Sequence, residues 1–97
     1  MRVRWRERSG LRDPQRRRFV CEVRRSQKQE GVQRKLTLAH LGTVHTGVDG
    51  LPSREEAARF WKLATRKLRA LRLAKAARER LIRGMSRRFP RPRALGR

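Results

Sequence analysis

Ser53-Arg-Glu-Glu-Ala-Ala-Arg-Phe-Trp61 is where the hydrophobic period of this chain changes. Ahead of it the apolar residues recur every second position, the period of a half-buried strand; from Ala57 onward they recur at helical spacing. Ser53-Arg-Glu-Glu56 reads as a capping box, with the Ser53 hydroxyl taking a free helix amide and Glu56 reaching back. Ala57, Phe60, Trp61, Ala64, Leu68 and Leu71 then form an apolar stripe, with Arg59, Lys62, Arg66 and Arg69 on the opposite side.

Upstream, Arg2 to Glu7 alternates as a short strand, with Val3 and Trp5 between Arg2, Arg4 and Arg6. Ser9-Gly10 and Asp13-Pro14 carry turn chemistry. Arg18 to Arg25 is a second strand, with Phe19, Cys21 and Val23 on one face and Val20, Glu22 and Arg24 on the other. The polar run Ser26 to Gln33 reads as the connection to a third strand, Arg34 to Leu41. There Leu36 and Leu38 share one face and Lys35, Thr37 and Ala39 the other. Gly42 closes it, and Thr46 to Pro52 is a loop.

Downstream, the helical pattern runs on to Gly84, a natural stop. A continuous helix over 53–83 would be about 45 Å long at 1.5 Å per residue. That exceeds what a three-stranded sheet covers, so Leu73 to Arg83 either breaks away near Leu73 or projects to a partner. Met85 to Arg97, with Pro90, Pro92 and five arginines, reads as an extended basic tail. The expected fold is α+β: a three-stranded antiparallel sheet over residues 2–45, packed on one long C-terminal helix. Residues 1–84 form the domain and 85–97 the tail.

Composition bounds the function. The 97 residues carry 29 Lys and Arg against eight Asp and Glu, a formal charge of +21. Like charges in a compact body repel, so a partner must supply the negative charge, and a nucleic-acid backbone is the usual one. Twenty-four of the cations are arginine. Arginine's planar fork binds phosphate and guanine edges bidentately, although a GC-rich genome also enriches it. The hydrophobic share, 36%, leaves a small core. The one cysteine, Cys21, cannot make an internal disulfide and reads as a small core residue. No apolar stretch approaches bilayer length and none resembles a secretory leader, so the expected location is cytoplasmic.

The order of strands and capped helix resembles the arm-type DNA-binding domain at the N-terminus of phage and transposon tyrosine integrases. The matching stretches are Val3-Arg-Trp5, Phe19-Val-Cys-Glu-Val23, Arg34-Lys-Leu-Thr-Leu38 and Ser53-Arg-Glu-Glu-Ala57 with Trp61. They cover roughly residues 2–72. The run Arg34 to Gly42 is also similar to a segment near the start of some insertion-sequence transposases. The integrase resemblance implies that the sheet enters the major groove with the helix behind it. Arg4, Arg6, Arg18, Arg24, Lys35 and Thr37 would then meet DNA. The chain has no Tyr, so it lacks the nucleophile of a tyrosine recombinase, and its second-to-third strand connection is longer than usual for the module. The resemblance therefore implies a stand-alone binding domain or accessory protein of a mobile element.

From the residues themselves, the basic row Arg2, Arg4 and Arg6 suits nucleic-acid contact, or a charged edge that blocks strand pairing. The helical row Arg59, Lys62, Arg66 and Arg69 suits phosphates, as do Arg87, Arg88, Arg91 and Arg93 of the tail. Trp5 and Trp61 read as core. His40, His45 and Cys21 do not complete a zinc set, so no metal is expected. Glu55 and Glu56 are accounted for by the helix start. No phosphate-cradling glycine loop or nucleophile triad is present, so neither an enzyme nor a cofactor is expected. The expected partner is nucleic acid, with DNA favoured over RNA, within a larger nucleoprotein complex. Two alternatives share the composition: an RNA-binding structural component of a ribosome or other ribonucleoprotein, and a basic amphipathic helix binding an acidic protein or anionic membrane.

Overall fold

The computed structural model describes residues 1–8 and 15–92. The expected turns at Ser9-Gly10 and Asp13-Pro14, and Arg93, lie outside the described residues. Three strands, β1 (Arg2–Arg8), β2 (Arg16–Gln29) and β3 (Val32–Gly47), are followed by two helices, α1 (Arg54–Ala70) and α2 (Lys75–Arg88). The sheet is antiparallel in the order β1-β2-β3.

Register sorts the strand residues onto two faces. Trp5 lies opposite Cys21 and Val3 opposite Val23, while Phe19 faces Val44 and Val23 faces Ala39. These side chains look onto the helices, where Phe60, Trp61, Ala64, Leu68, Leu81, Met85 and Phe89 complete the core. Trp5 packs edge-on to Phe89 at 4.9 Å and tilted to Phe60 at 5.3 Å. The reading of Trp61 as core holds, and Trp5 is half-buried against the same cluster.

The single long helix does not form. The chain breaks after Ala70, where Arg72 takes a left-handed φ of 52°, and α2 turns back toward β1. No Pro or Gly marks the break. Left-handed backbone at a non-glycine residue costs about 1–2 kcal/mol. Burying Leu81, Met85 and Phe89, each at most 2% exposed, outweighs that cost. Gly84 sits inside α2 rather than ending it. A Cβ there would stand 3.3 Å from the Val3 side chain, so glycine lets the helix close on β1. The boundary expected at 84/85 therefore falls within a helix, and Met85 to Phe89 belong to the core, not to an extended tail.

The β2–β3 connection is also different. It is a two-residue turn, Glu30-Gly31, with φ of 53° and 79°. Two successive positive φ values are the hairpin geometry that matches strand twist. Ser26 to Gln33 is thus mostly strand. Beyond the Arg2–Arg24 pair β1 has ended, and residues 25–38 run on as a two-stranded arm, exposed throughout. Leu36 and Leu38, expected on one strand face, are 42% and 44% exposed on it. Register shifts at Cys21/Glu22 and Val23/Arg24 put Leu41 into the core and bring Ala39 to the core face, away from Lys35 and Thr37. Gly42 lies inside β3 rather than closing it.

Cys21 is buried, and desolvation, helped by the adjacent Glu22 charge, pushes its thiol up to about 12 from an ordinary 9.0. The folded thiol keeps its proton where the unfolded one has lost it. This contribution to stability is intact below pH 9 and falls away as pH rises toward 12. Alkylation of Cys21 in native buffer at pH 8 should be on the order of a hundredfold slower than in denaturant, because thiolate and access are both withheld. Comparable rates in the two conditions, read by mass spectrometry, would place Cys21 at the surface.

Candidate nucleic-acid interface

The sheet face turned away from the helices is built by alternation. Arg2, Arg4, Arg6 and Arg8 of β1 stand opposite Arg24, Glu22, Val20 and Arg18 of β2. On β3, Thr37 pairs with Arg24 and Lys35 with Ser26. Arg2, Arg4, Arg6, Arg18, Arg24, Lys35 and Thr37 are thereby brought onto one surface. Arg8 joins them, and the strict Arg-x-Arg-x-Arg-x-Arg spacing from Arg2 carried that signal.

Among the described residues one carboxylate, Glu22, interrupts this surface, and it is already paired. Glu22 is 6% exposed; its Oε1 lies 2.7 Å from Arg6 Nη2, and its Oε2 accepts from Thr37 Oγ1 at 3.2 Å. A buried carboxylate without a cation would be costly, so Arg6 is tied down by Glu22. Among the described residues, Arg2, Arg4 and Arg8 face no carboxylate in an ion pair. Arg18 and Arg24 each keep a buried Nε–H without an acceptor, and Arg24 Nη2 donates to the Lys35 carbonyl at 3.4 Å. Where β1 begins beside the arm, Arg2, Arg4, Arg24, Arg25, Lys35 and Arg80 line a notch of about 860 Å³. Arg80 comes from α2, so only the fold could place it there.

The helical row lies on the other layer. Arg54, Lys62, Arg66 and Arg69 of α1, with Arg91 beyond α2, line a groove of about 530 Å³. Its floor is Trp61, whose Nε1 donates to the Phe89 carbonyl at 3.0 Å, and the Arg91 guanidinium lies 5.8 Å from the Trp61 ring centre. Glu55 is the one carboxylate lining it. Arg59 stands at the edge, 3.6 Å from Glu56. Glu56, expected to reach back to Ser53, accepts the His45 amide of β3 at 3.1 Å, while Ser53 Oγ accepts the Glu56 amide.

The arginines assigned to the tail divide. Arg87 is exposed on α2. Arg88 is half-buried, 4.5 Å from the ring centres of both Phe19 and Phe89, and serves packing. Arg17, which sequence reasoning passed over, closes the same corner. It donates to both Glu7 oxygens at 2.8 and 2.9 Å and lies 5.0 Å from the Phe19 ring centre. Those hydrogen bonds hold the Glu7 carboxyl below the usual carboxylate range. Being exposed, the pair adds little stability.

Comparison with protein-family models, curated proteins and solved structures finds no match. Among the described residues, no group of three or more His, Cys, Asp or Glu is placed to hold a metal ion. No described helix is long and apolar enough to cross a membrane.

Proposed function

We propose that this chain binds duplex DNA, with the open sheet face as its principal contact surface. The observation that carries this reading is the charge of that face: six arginines and Lys35 around one carboxylate that Arg6 already neutralises. Three strands at about 4.8 Å spacing make a layer roughly 10 Å across, suited to a major groove about 12 Å wide. The arm extends the same layer. On that face it carries Gln33, opposite Lys28. Amide side chains can read adenine in the major groove, as arginine reads guanine. The resemblance to the integrase arm-type module favours the same orientation, and an accessory role in a mobile element follows from it.

A salt titration tests the reading. With about 6–8 phosphates neutralised, log K should fall against log salt with a slope of about −5 to −7 on duplex DNA. Arg4→Ala or Arg24→Ala should narrow the gap between a selected site and scrambled duplex; Lys62→Ala, off the sheet face, should leave that gap unchanged. A slope near zero would remove charge as the driving force. Tighter binding to structured RNA, with no change in preference from the sheet variants, would replace the proposal with a ribonucleoprotein role.

A further inference from the structure

We infer that the α1 groove is a second, independent duplex-binding surface, so that one copy of this chain bridges two DNA segments. The inference rests on the DNA-binding reading above and extends it.

The two basic surfaces belong to opposite layers. The apolar stripe of α1, Phe60, Trp61, Ala64 and Leu68, is spent on the core beneath the sheet, which turns Lys62, Arg66 and Arg69 outward on the far side. The molecule is a slab, 46 × 37 × 19 Å in extent, and the core lies between the sheet and the helix layer. DNA stiff over about 150 base pairs does not fold around a body of that thickness without a large bending cost. A duplex seated on the sheet leaves the helix-layer cations unneutralised.

The groove has the form of a phosphate track rather than a scattered charge. Lys62 to Arg69 spans about 10 Å of helix at 1.5 Å per residue, a run of cations that can lie along a stretch of one phosphate backbone. Arg91 closes the side away from β3, and its position is fixed by the Trp61–Phe89 hydrogen bond that anchors the segment following α2. A solvated helix face would mix signs; here Glu55 is the one lining carboxylate beside Lys62, Arg66, Arg69 and Arg91. Duplex DNA is the occupant that this row fits by charge.

The test is co-capture at about 0.15 M salt, near physiological screening. A duplex fixed to beads is mixed with the protein and a second, labelled duplex of unrelated sequence. The chain should recover the labelled duplex. The triple variant Lys62→Gln/Arg66→Gln/Arg69→Gln should lose recovery at least tenfold while binding a single duplex within about threefold of the parent. A control of equal charge loss on α2, Lys75→Gln/Arg78→Gln/Arg83→Gln, should keep recovery. All six positions are exposed, and matching circular dichroism melts would exclude unfolding. Single-duplex binding without co-capture would overturn the bridge and leave the proposed function standing. Co-capture lost equally in both triple variants would reduce it to bulk charge. Co-capture retained by the groove variant would assign bridging to self-association instead. Failure of the parent to bind any single duplex would overturn both readings together.

Discussion

A chain ending at Gly84 should show no cooperative thermal transition and no near-ultraviolet circular dichroism from its tryptophans. The truncation removes Met85 and Phe89, both buried. Phe89 sets its ring edge-on to Trp5 at 4.9 Å and to Phe19 at 5.4 Å, and its carbonyl takes the Trp61 indole hydrogen bond. Losing a large buried side chain typically costs ~2–5 kcal/mol. Two such losses approach the whole stability of a small domain, about 5–15 kcal/mol. A chain ending at Pro92 keeps all of these groups and should melt within a few degrees of the parent. The pair of truncations thus locates the end of the folded unit between 84 and 92. A Gly84 truncation that still melts cooperatively near the parent midpoint would show that α2's last turn is dispensable and restore the tail reading of residues 85–97.

That result turns on the part of the fold least legible in the sequence. The change of period at Ser53, the alternation of Arg2 to Glu7 and of Phe19 to Val23, and the apolar stripe of α1 were readable because each is a local pattern. The break near Leu73 follows from helix length only as one of two alternatives, since Leu71-Arg72-Leu73-Ala74 contains neither of the residues that usually end helices. It is set by tertiary burial of Leu81, Met85 and Phe89, whose four-residue spacing was the available signal. Ser26 to Gln33 reads as a connection because the run is almost wholly polar; the positive φ values at Glu30 and Gly31 make it a tight hairpin. The two register shifts leave no mark in composition, so simple alternation does not bring Ala39 and Leu41 to the core face. The same division holds for the interface. Its sheet half follows from strand period alone. The Arg80 contribution to the notch, and Arg91 beside α1, require the helix reversal first.

Trp61→Ala should cost ~3–5 kcal/mol of stability, whereas Arg66→Ala, one turn further along α1, should change it by less than about 0.5 kcal/mol. Trp61 is 2% exposed, packs edge-on to Phe60 at 6.0 Å and ties α1 to the end of α2 through its indole N–H. Removing it empties a cavity between the helices and frees the segment that carries Arg91. Trp61→Phe separates the two effects: the ring area is largely kept, so the loss should fall to the ~1 kcal/mol typical of one neutral hydrogen bond plus the area difference. Arg66 is exposed in a field of like charge, so its removal relieves repulsion and acts on binding instead. Denaturant titrations of the three variants decide the matter. Small and equal losses for Trp61→Ala and Arg66→Ala would mean that the indole does not join the helices. Trp61 would then stand as an exposed ring available to stack on a base, and the groove would lose the anchor that positions Arg91.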